Sequence, residues 1–184
     1  HRLVRYKRTD VKCPKTDSFI APRKPLNLLK AAIPFTDEEI TVSYNSNHLF
    51  VKHGTTQMSC RLIDARFPDY KVVIPTDNPY RLTVNKNDFQ SALRRVSVFS
   101  NKSTNQVALS ISGSELQLAA QDVDFSFEGN ERMKCQYNGE DLMIAFNAKF
   151  LIEMLNATDS DEVNMELSTP TKAGIIKPTD QDES

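Results

Sequence analysis

Apolar and polar positions follow one pattern that occurs three times along the chain. A short apolar strand is followed by a polar break, an amphipathic helix and then alternating strands. The strand and helix portions of the three repeats are Ser18–Ile33, Tyr80–Phe99 and Asp141–Ala157. Leu26, Phe89 and Leu151 hold the same place in the three helices, about 62 residues apart. Because a repeat at a fixed period determines architecture, we predict an α+β fold with its helices on one face of antiparallel sheets.

The helices have recognisable starts. Pro22 and Pro25 bracket the start of the first helix, and Asn85 is a predicted N-cap of the second, with Asp88 completing an imperfect capping box. Alternating apolar residues predict the strands. These predicted strands are Leu3–Lys7, Phe19–Ala21, Glu39–Tyr44, His48–His53, Met58–Ile63, Arg81–Val84, Val107–Ser112, Leu116–Ala120, Phe125–Phe127, Met133–Tyr137, Leu142–Phe146, Val163–Leu167 and Ala173–Ile176.

A segment from Arg66 to Pro75 separates the first repeat from the second. Two prolines frame its apolar stretch, which has neither a helical nor an alternating period. This composition indicates a domain linker. Its apolar content predicts that the linker lies on a protein surface.

Composition limits the class of protein. Hydrophobic residues make up 39% of the chain and charged residues 26%, as in ordinary soluble proteins. We find neither a signal peptide nor an apolar run near the roughly 20 residues that span a bilayer, so we expect no membrane partner. Cys13, Cys60 and Cys135 lack the spacing of metal or redox motifs and are expected to be reduced thiols of a cytoplasmic protein. Since the chain opens at His1 inside a strand-like run, we interpret it as a fragment of something longer.

Charge is distributed unevenly along the chain. Residues 1–30 carry nine Lys or Arg against two Asp, whereas residues 159–184 carry seven acidic residues against two Lys. Such an asymmetry is a weak indication that one region has an anionic partner.

The residues needed for catalysis do not form a recognisable constellation. His48 and His53 flank a predicted strand without a nucleophile motif nearby, and none of the five glycines forms a phosphate-binding loop. Asp159–Glu162 lacks the ligand spacing of a calcium loop and reads as a charged turn. We therefore expect a binding or scaffolding module that is not an enzyme and that uses no cofactor or metal.

Basic residues recur on the predicted helices. Lys86, Gln90 and Arg94 are spaced by four, with Arg95 beside them, and Lys149 leads the third helix. The first helix carries basic residues as well, namely Arg23, Lys24 and Lys30. Each helix taken singly could simply have a solvated face. Taken with the repeat, these helices could instead line one basic surface that contacts phosphates.

Several motifs resemble one family. They are His1-Arg2-Leu3, Pro22-Arg23-Lys24, Arg66-Phe67-Pro68-Asp69-Tyr70, Phe146-Asn147 and Leu155-Asn156-Ala157. With the order of strands and helices, they resemble the bacterial sliding clamp, the β subunit of DNA polymerase III. The resemblance implies the DNA-clamp fold. It makes residues 1–74 the second half of the middle clamp domain and residues 75–184 the third domain lacking its last strand, with the first domain missing.

The resemblance also implies a function. Clamps of this family are polymerase processivity factors, and two subunits pair head to tail into a ring around double-stranded DNA. Such a ring binds DNA without sequence preference and tethers the replicative polymerase and the clamp loader through short peptide motifs. The alternative is a protein-interaction module without a DNA role. The salt dependence of DNA association distinguishes the two, because phosphate contacts release counterions.

Site residues carried over from the family fall into three groups. The partner-peptide pocket, between the middle and third domains, would use His1, Arg2, Leu3, Pro68, Val72, Val73, Asn147, Phe150 and Thr171. Val72 stands where some relatives have Arg, and Phe150 where a Tyr can occur. The DNA-facing residues would be Arg23, Lys24, Lys30, Arg94 and Arg95. The dimer contact would use Val98 and Phe99.

Overall fold

A computed structural model describes residues 2–8, 10–12, 15–33 and 38–179. His1 and Cys13 lie outside the described residues. The chain divides into two compact units. The first unit is Lys7–Asp69, and the second combines His1–Tyr6 with Tyr70–Ser184. None of the helices in the described ranges is long and apolar enough to cross a membrane.

In its described residues, the Lys7–Asp69 unit has one helix and one sheet. Its elements are α1 (Arg23–Ala32), β1 (Thr41–Tyr44), β2 (His48–His53) and β3 (Thr56–Arg61). The strands are antiparallel in the order β1-β2-β3. Alternate residues of β2, Leu49 and Val51, are buried with Cys60, and Leu29 of α1 and Ile33 just after it pack against them. A short core therefore joins the helix to one side of this sheet.

The second unit contains the other two repeats. After a 3₁₀ turn at Tyr70–Val73, its elements are β4 (Tyr80–Asn85), α2 (Lys86–Ser97), β5 (Gln106–Ser112), β6 (Glu115–Asp122), β7 (Phe127–Lys134), β8 (Gln136–Tyr137), β9 (Leu142–Asn147), α3 (Ala148–Asn156), β10 (Glu162–Leu167) and β11 (Ile175–Pro178). The strands form two four-stranded antiparallel sheets, ordered β11-β10-β4-β8 and β7-β6-β5-β9.

One hydrophobic core joins the helices and sheets of this unit. Phe89 and Leu93 of α2 and Leu151 and Leu155 of α3 are fully buried in it. Alternate residues of β5, β6 and β10 complete the core, as the period of two in a half-buried strand requires. The predicted α+β fold is confirmed. The register of the repeat also holds, because Leu26, Phe89 and Leu151 are each the fourth residue of their helix.

The two helices of the second unit begin in the same way. Asn85 ends β4 and its side chain accepts a hydrogen bond from the backbone N–H of Asp88 at 3.0 Å. Asn147 ends β9 and accepts one from the N–H of Phe150 at 3.3 Å. The predicted N-cap at Asn85 is confirmed. Each cap satisfies a donor that a helix terminus leaves without an intrahelical partner.

We expect replacement of these caps by alanine to destabilise the second unit. Asn85→Ala removes one capping bond and should lower the free energy of unfolding by about 1 kcal/mol. Asn147→Ala should cost more, because the Asn147 amide also donates to the Thr104 carbonyl at 2.8 Å. Urea unfolding of both variants measures the difference. Equal losses would mean that the bond to Thr104 contributes nothing to stability.

Three strand predictions are wrong. Leu3–Lys7 and Phe19–Ala21 form no strand, because neither segment joins a ladder within the described ranges. A single backbone bond, from Ile63 N–H to the Ile20 carbonyl at 2.9 Å, fastens the second of them. The predicted break between Phe125–Phe127 and Met133–Tyr137 is also misplaced. β7 runs unbroken from Phe127 to Lys134, since all eight of its residues pair with β6.

Candidate functional site

An open groove lies beside the 3₁₀ turn of the second unit. It has a volume of about 290 Å³, and its walls are Val72, Val73, Ile74, Pro75, Thr76, Asp77, Lys172 and Ala173. Val72 and Val73 are exposed, so their apolar side chains face solvent. Thr171 immediately precedes Lys172. The structure thus brings the predicted pocket residues Val72 and Val73 to the loop that carries Thr171.

Asn78, which no sequence motif marks, holds one wall of this groove. Its amide donates to the Glu166 carbonyl at 3.1 Å and to the Ala173 carbonyl at 3.0 Å. These bonds fasten β10 and the loop that follows it to the segment before β4. A lone Asn in a polar stretch carries no signal for such a role, because its two partners lie about ninety residues away in the chain.

A second group of predicted pocket residues gathers on α3. The Arg2 guanidinium lies 4.4 Å from the centroid of the Phe150 ring, within the range of a cation–π contact. Arg2 Nε is also 2.7 Å from Glu153 Oε2. These two contacts tie the N-terminal segment to α3 and leave the neighbouring Leu3 exposed.

The remaining predicted pocket residues are placed differently. Asn147 uses both ends of its side chain inside the protein, because Oδ1 accepts from Phe150 and Nδ2 donates to Thr104. The second lone pair of Oδ1 and the second N–H of Nδ2 are therefore the groups that a ligand could still use. Pro68 is exposed and belongs to the Lys7–Asp69 unit. His1 lies outside the described residues.

The cations of α1 are exposed and carry no acidic neighbours on the helix. Arg23 and Lys24 stand in its first turn, Lys30 stands in its last, and its ten residues include no Asp or Glu. A helix N-terminus carries a partial positive charge, so cations there are unfavourable by about 0.3–1 kcal/mol each. Pro22 gives this terminus no side-chain cap. The start of α1 is therefore a concentrated positive site.

The polar face of α2 has several roles. Lys86 Nζ donates to the Thr158 carbonyl at 3.0 Å, and Gln90 donates to Asn156 Oδ1 at 2.8 Å, so both residues join α2 to the end of α3. Arg94 is exposed and makes no ion pair with a described residue. Of the residues spaced by four, Arg94 is thus the one whose charge remains available to a ligand.

Arg95 pairs with Glu131 on β7. Its Nε and its terminal nitrogen lie 3.0 and 2.5 Å from the two carboxylate oxygens. These bonds hold the pKa of Glu131 below, and that of Arg95 above, the ordinary values. Because folding lowers the pKa of Glu131, the ion pair stabilises the protein fully when the pH is above the ordinary Glu pKa. This stabilisation is lost as the pH falls through the lowered pKa of Glu131.

The residues after α2 form an apolar site at the edge of a sheet. Val98 is 76% exposed and Phe99 is 39% exposed. The ring of Phe99 lies against the backbone of Gly129 in β7. β7 is the terminal strand of its sheet and, within the described ranges, pairs only with β6. Its other side therefore presents backbone hydrogen-bonding groups that a further strand could use.

Aromatic residues at the turn between β6 and β7 extend this apolar site. Val123, Phe125 and Phe127 are exposed there, and the Phe125 and Phe127 rings stack with their centroids 6.1 Å apart. The sequence signal for them was the Phe-Ser-Phe run, which was interpreted only as a short strand. Exposed aromatic residues are typical of protein contact surfaces.

Comparisons with known proteins point to one family. The family described as DNA polymerase III beta subunit, C-terminal domain, matches residues 71–184. The beta sliding clamp of Haemophilus influenzae is 31% identical over 160 residues, which are 87% of this chain and 43% of the relative.

Solved structures agree with this match. The DNA polymerase III subunit beta of Pseudomonas aeruginosa matches with a TM-score of 0.86 and 25% identity, covering 92% of this chain and 47% of that one. The sliding clamp of Bartonella birtlesii bound to griselimycin matches with a TM-score of 0.79 and 31% identity, covering 90% of this chain and 44% of that one. The chain spans about half the length of the relatives it matches.

Proposed function

This chain belongs to the family of the DNA polymerase III β subunit, and from that membership we propose that it is part of a ring-shaped clamp that keeps a replicative polymerase on duplex DNA. The observation that carries the proposal is the fold match, with a TM-score of 0.86 over 92% of the chain. The family resemblance read from the sequence is thereby confirmed. The chain acts as a tether in the cytoplasm and not as a catalyst.

The two compact units support a division into two clamp domains. We propose residues 1–74 as the second half of a middle domain and residues 75–184 as a third domain. One helix followed by three strands in the Lys7–Asp69 unit and two strand-helix repeats in the other support that assignment, although His1–Tyr6 and residues 70–74 group with the second unit. The third domain includes β11, which pairs with β10.

The DNA-facing residues of the proposal are Arg23, Lys24, Lys30, Arg94 and Arg95. The strongest support comes from Arg23 and Lys24, because cations at a helix N-terminus reduce stability and so favour a role in binding. Together with the helix dipole they would attract a phosphate. Arg95 is the least available of the five, since Glu131 already binds its guanidinium.

Topology provides the test of the clamp proposal. The intact protein, loaded onto nicked circular DNA by its clamp loader, should stay bound during gel filtration and should be released when the circle is cut. Free DNA association should weaken as salt rises, because displaced phosphate contacts release counterions. Retention on linear DNA as long as on circles would contradict a closed ring. Association independent of salt would favour the protein-interaction module.

The partner-peptide pocket of the proposal combines the groove at Val72 and Val73 with the Arg2–Phe150 group. Exposed apolar side chains with a few polar groups around them are typical of such sites. A short peptide with apolar or aromatic residues at its end would insert there, as expected for the polymerase and the clamp loader. Pro68, Asn147, Thr171 and His1 remain predicted members of this pocket.

We expect Leu3→Ala to weaken peptide binding by the intact protein by about 1–3 kcal/mol, because truncation removes an apolar anchor. Titration calorimetry with a clamp-binding peptide measures the change. Val11→Ala is the matched control, since Val11 is also exposed in an irregular segment but lies in the other unit. If both variants bind like the wild type, Leu3 is not part of the site.

The subunit contact of the proposal uses Val98 and Phe99 together with the open side of β7. A head-to-tail pair needs two different complementary surfaces on each subunit. A strand from the second subunit could satisfy the free backbone groups of β7, while the apolar side chains beside it become buried. The exposed turn that carries Phe125 and Phe127 would enlarge the apolar area.

A further inference from the structure

We propose that Gly129 is a positioning residue that seats the Phe99 ring for the subunit contact. This inference rests on the proposed function, because it concerns the contact that Val98 and Phe99 would make. Gly129 lies in the middle of β7, where a glycine normally weakens a strand. Close approach by another group is one physical reason for a glycine at such a position.

The space that a side chain at Gly129 would need is filled by the Phe99 ring. A Cβ atom built on Gly129 would lie 2.8 Å from Phe99 Cγ and 2.9 Å from Cε2, and closer still to Cδ2. Real Cβ atoms essentially never come within 3.0 Å of another heavy atom. Any larger residue at this position must therefore displace the ring. The ring is the end of a flexible side chain, so it can move without unfolding the strand.

A second contact runs parallel to the first. Arg95 and Phe99 are four residues apart at the end of α2, and the corresponding partners Glu131 and Gly129 are two apart on β7. Arg95 lies in the last turn of α2, and Phe99 lies in the turn that follows the helix, where its N–H donates to the Val96 carbonyl at 3.0 Å. Arg95 binds Glu131 through both carboxylate oxygens. The Arg95–Glu131 ion pair therefore fixes the end of α2 against β7, close to the point where the Phe99 ring contacts Gly129.

This arrangement holds Phe99 in place while leaving 39% of its surface exposed. Phe127 lies two residues from Gly129 and so shares its face of β7. The seated ring thus continues the apolar face of the edge strand. A side chain fixed before association loses less conformational freedom on binding.

The test compares four variants of the intact protein: G129A, F99A, the double variant G129A/F99A and N130A. Subunit exchange between fluorescently labelled dimers gives the dissociation rate and, by dilution, the dimer dissociation constant. We expect G129A to weaken the dimer about 3- to 10-fold through the lost preorganisation of Phe99. N130A is the control, because Asn130 neighbours Gly129 on the same strand but faces the other way.

The double variant separates positioning from a general effect on the strand. Once Phe99 is alanine there is no ring to displace, so G129A should add nothing to F99A. A full additional loss in the double variant would overturn the proposal. The positioning role would also be refuted if the G129A dimer were as tight as the wild type while the F99A dimer was weaker. That result would still support the subunit contact through Phe99. An unchanged F99A dimer would refute both the contact and the positioning role.

A spectroscopic readout reports on the ring directly. In glycine-labelled intact protein, the Gly129 α-protons should show an upfield ring-current shift that disappears in F99A. An identical Gly129 spectrum in F99A and the wild type would show that the ring does not sit there. A midpoint temperature of thermal unfolding equal to that of the wild type would confirm that the weaker G129A dimer reflects a displaced side chain and not a destabilised strand.

Discussion

Simultaneous replacement of Arg23, Lys24, Lys30 and Arg94 by Glu should weaken the DNA association of the intact protein and make it less sensitive to salt. Each phosphate contact contributes about 0.9 to the slope of log affinity against log salt, so four lost contacts should reduce that slope by about 3–4. All four side chains are exposed. The fold should therefore persist. Loading onto nicked circles and the salt slope are both measured.

A matched control keeps the same change in net charge at other exposed sites. Lys12, Lys52, Arg61 and Lys102 are exposed and belong to none of the predicted sites. Their replacement by Glu should lower long-range attraction slightly and leave most of the slope. If the two quadruple variants lose DNA association equally, only net charge matters, and the helical residues form an ordinary solvated face.

Stability provides an independent check on the residues at the start of α1. Replacing Arg23 and Lys24 by Gln removes cations from a helix N-terminus, which should raise the stability of the Lys7–Asp69 unit by about 0.3–1 kcal/mol for each residue. The same variant should hold DNA less well. A variant that is both less stable and unchanged on DNA would show that these cations serve the fold.

Phe89→Ala should have the largest effect on stability among single substitutions in the helices. Phe89 is fully buried in the core of the second unit, at 0% exposure, and its loss should cost about 3–5 kcal/mol. Leu26→Ala changes the equivalent position of α1. Because Leu26 is 42% exposed, that change should cost less than about 1 kcal/mol.

Urea unfolding followed separately in each unit measures this contrast. The comparison is informative because the repeat gives Phe89 and Leu26 the same place in their helices, while the surroundings differ. Similar losses at the two positions would mean that in the intact protein Leu26 is buried by a neighbouring segment. A small loss at Phe89 would contradict the core of the second unit.

Local patterns in the sequence were sufficient to predict most elements. The bounds of β2, His48–His53, agree with the prediction to the residue, and the cap at Asn85 was predicted from its position before an amphipathic run. Such features depend on interactions within a few residues, so the sequence contains them directly. Segments whose state depends on a pairing partner were not predictable in this way. Leu3–Lys7 alternates like a strand but joins no ladder in the part of the chain that the structure describes.

The candidate sites depended on long-range placement. From the residues alone, Arg94 and Arg95 were equivalent cations, yet Glu131, 36 residues away, binds only one of them. Nothing in the local sequence of Gly129 indicates that the Phe99 ring fills its side-chain space. Nor does the sequence around Asn78 indicate that this residue fastens the loop next to Val72 and Val73.

The sequence by itself determined the repeat, the helix starts, most strands and the family. Only the tertiary structure decided which repeated positions are buried and which charged or aromatic side chains are already bound within the protein. The physical reason is that secondary structure follows from local periodicity and capping, whereas burial and pairing follow from packing between elements far apart in the chain. Phe89 and Leu26 are equivalent in their position along the helix but differ in burial.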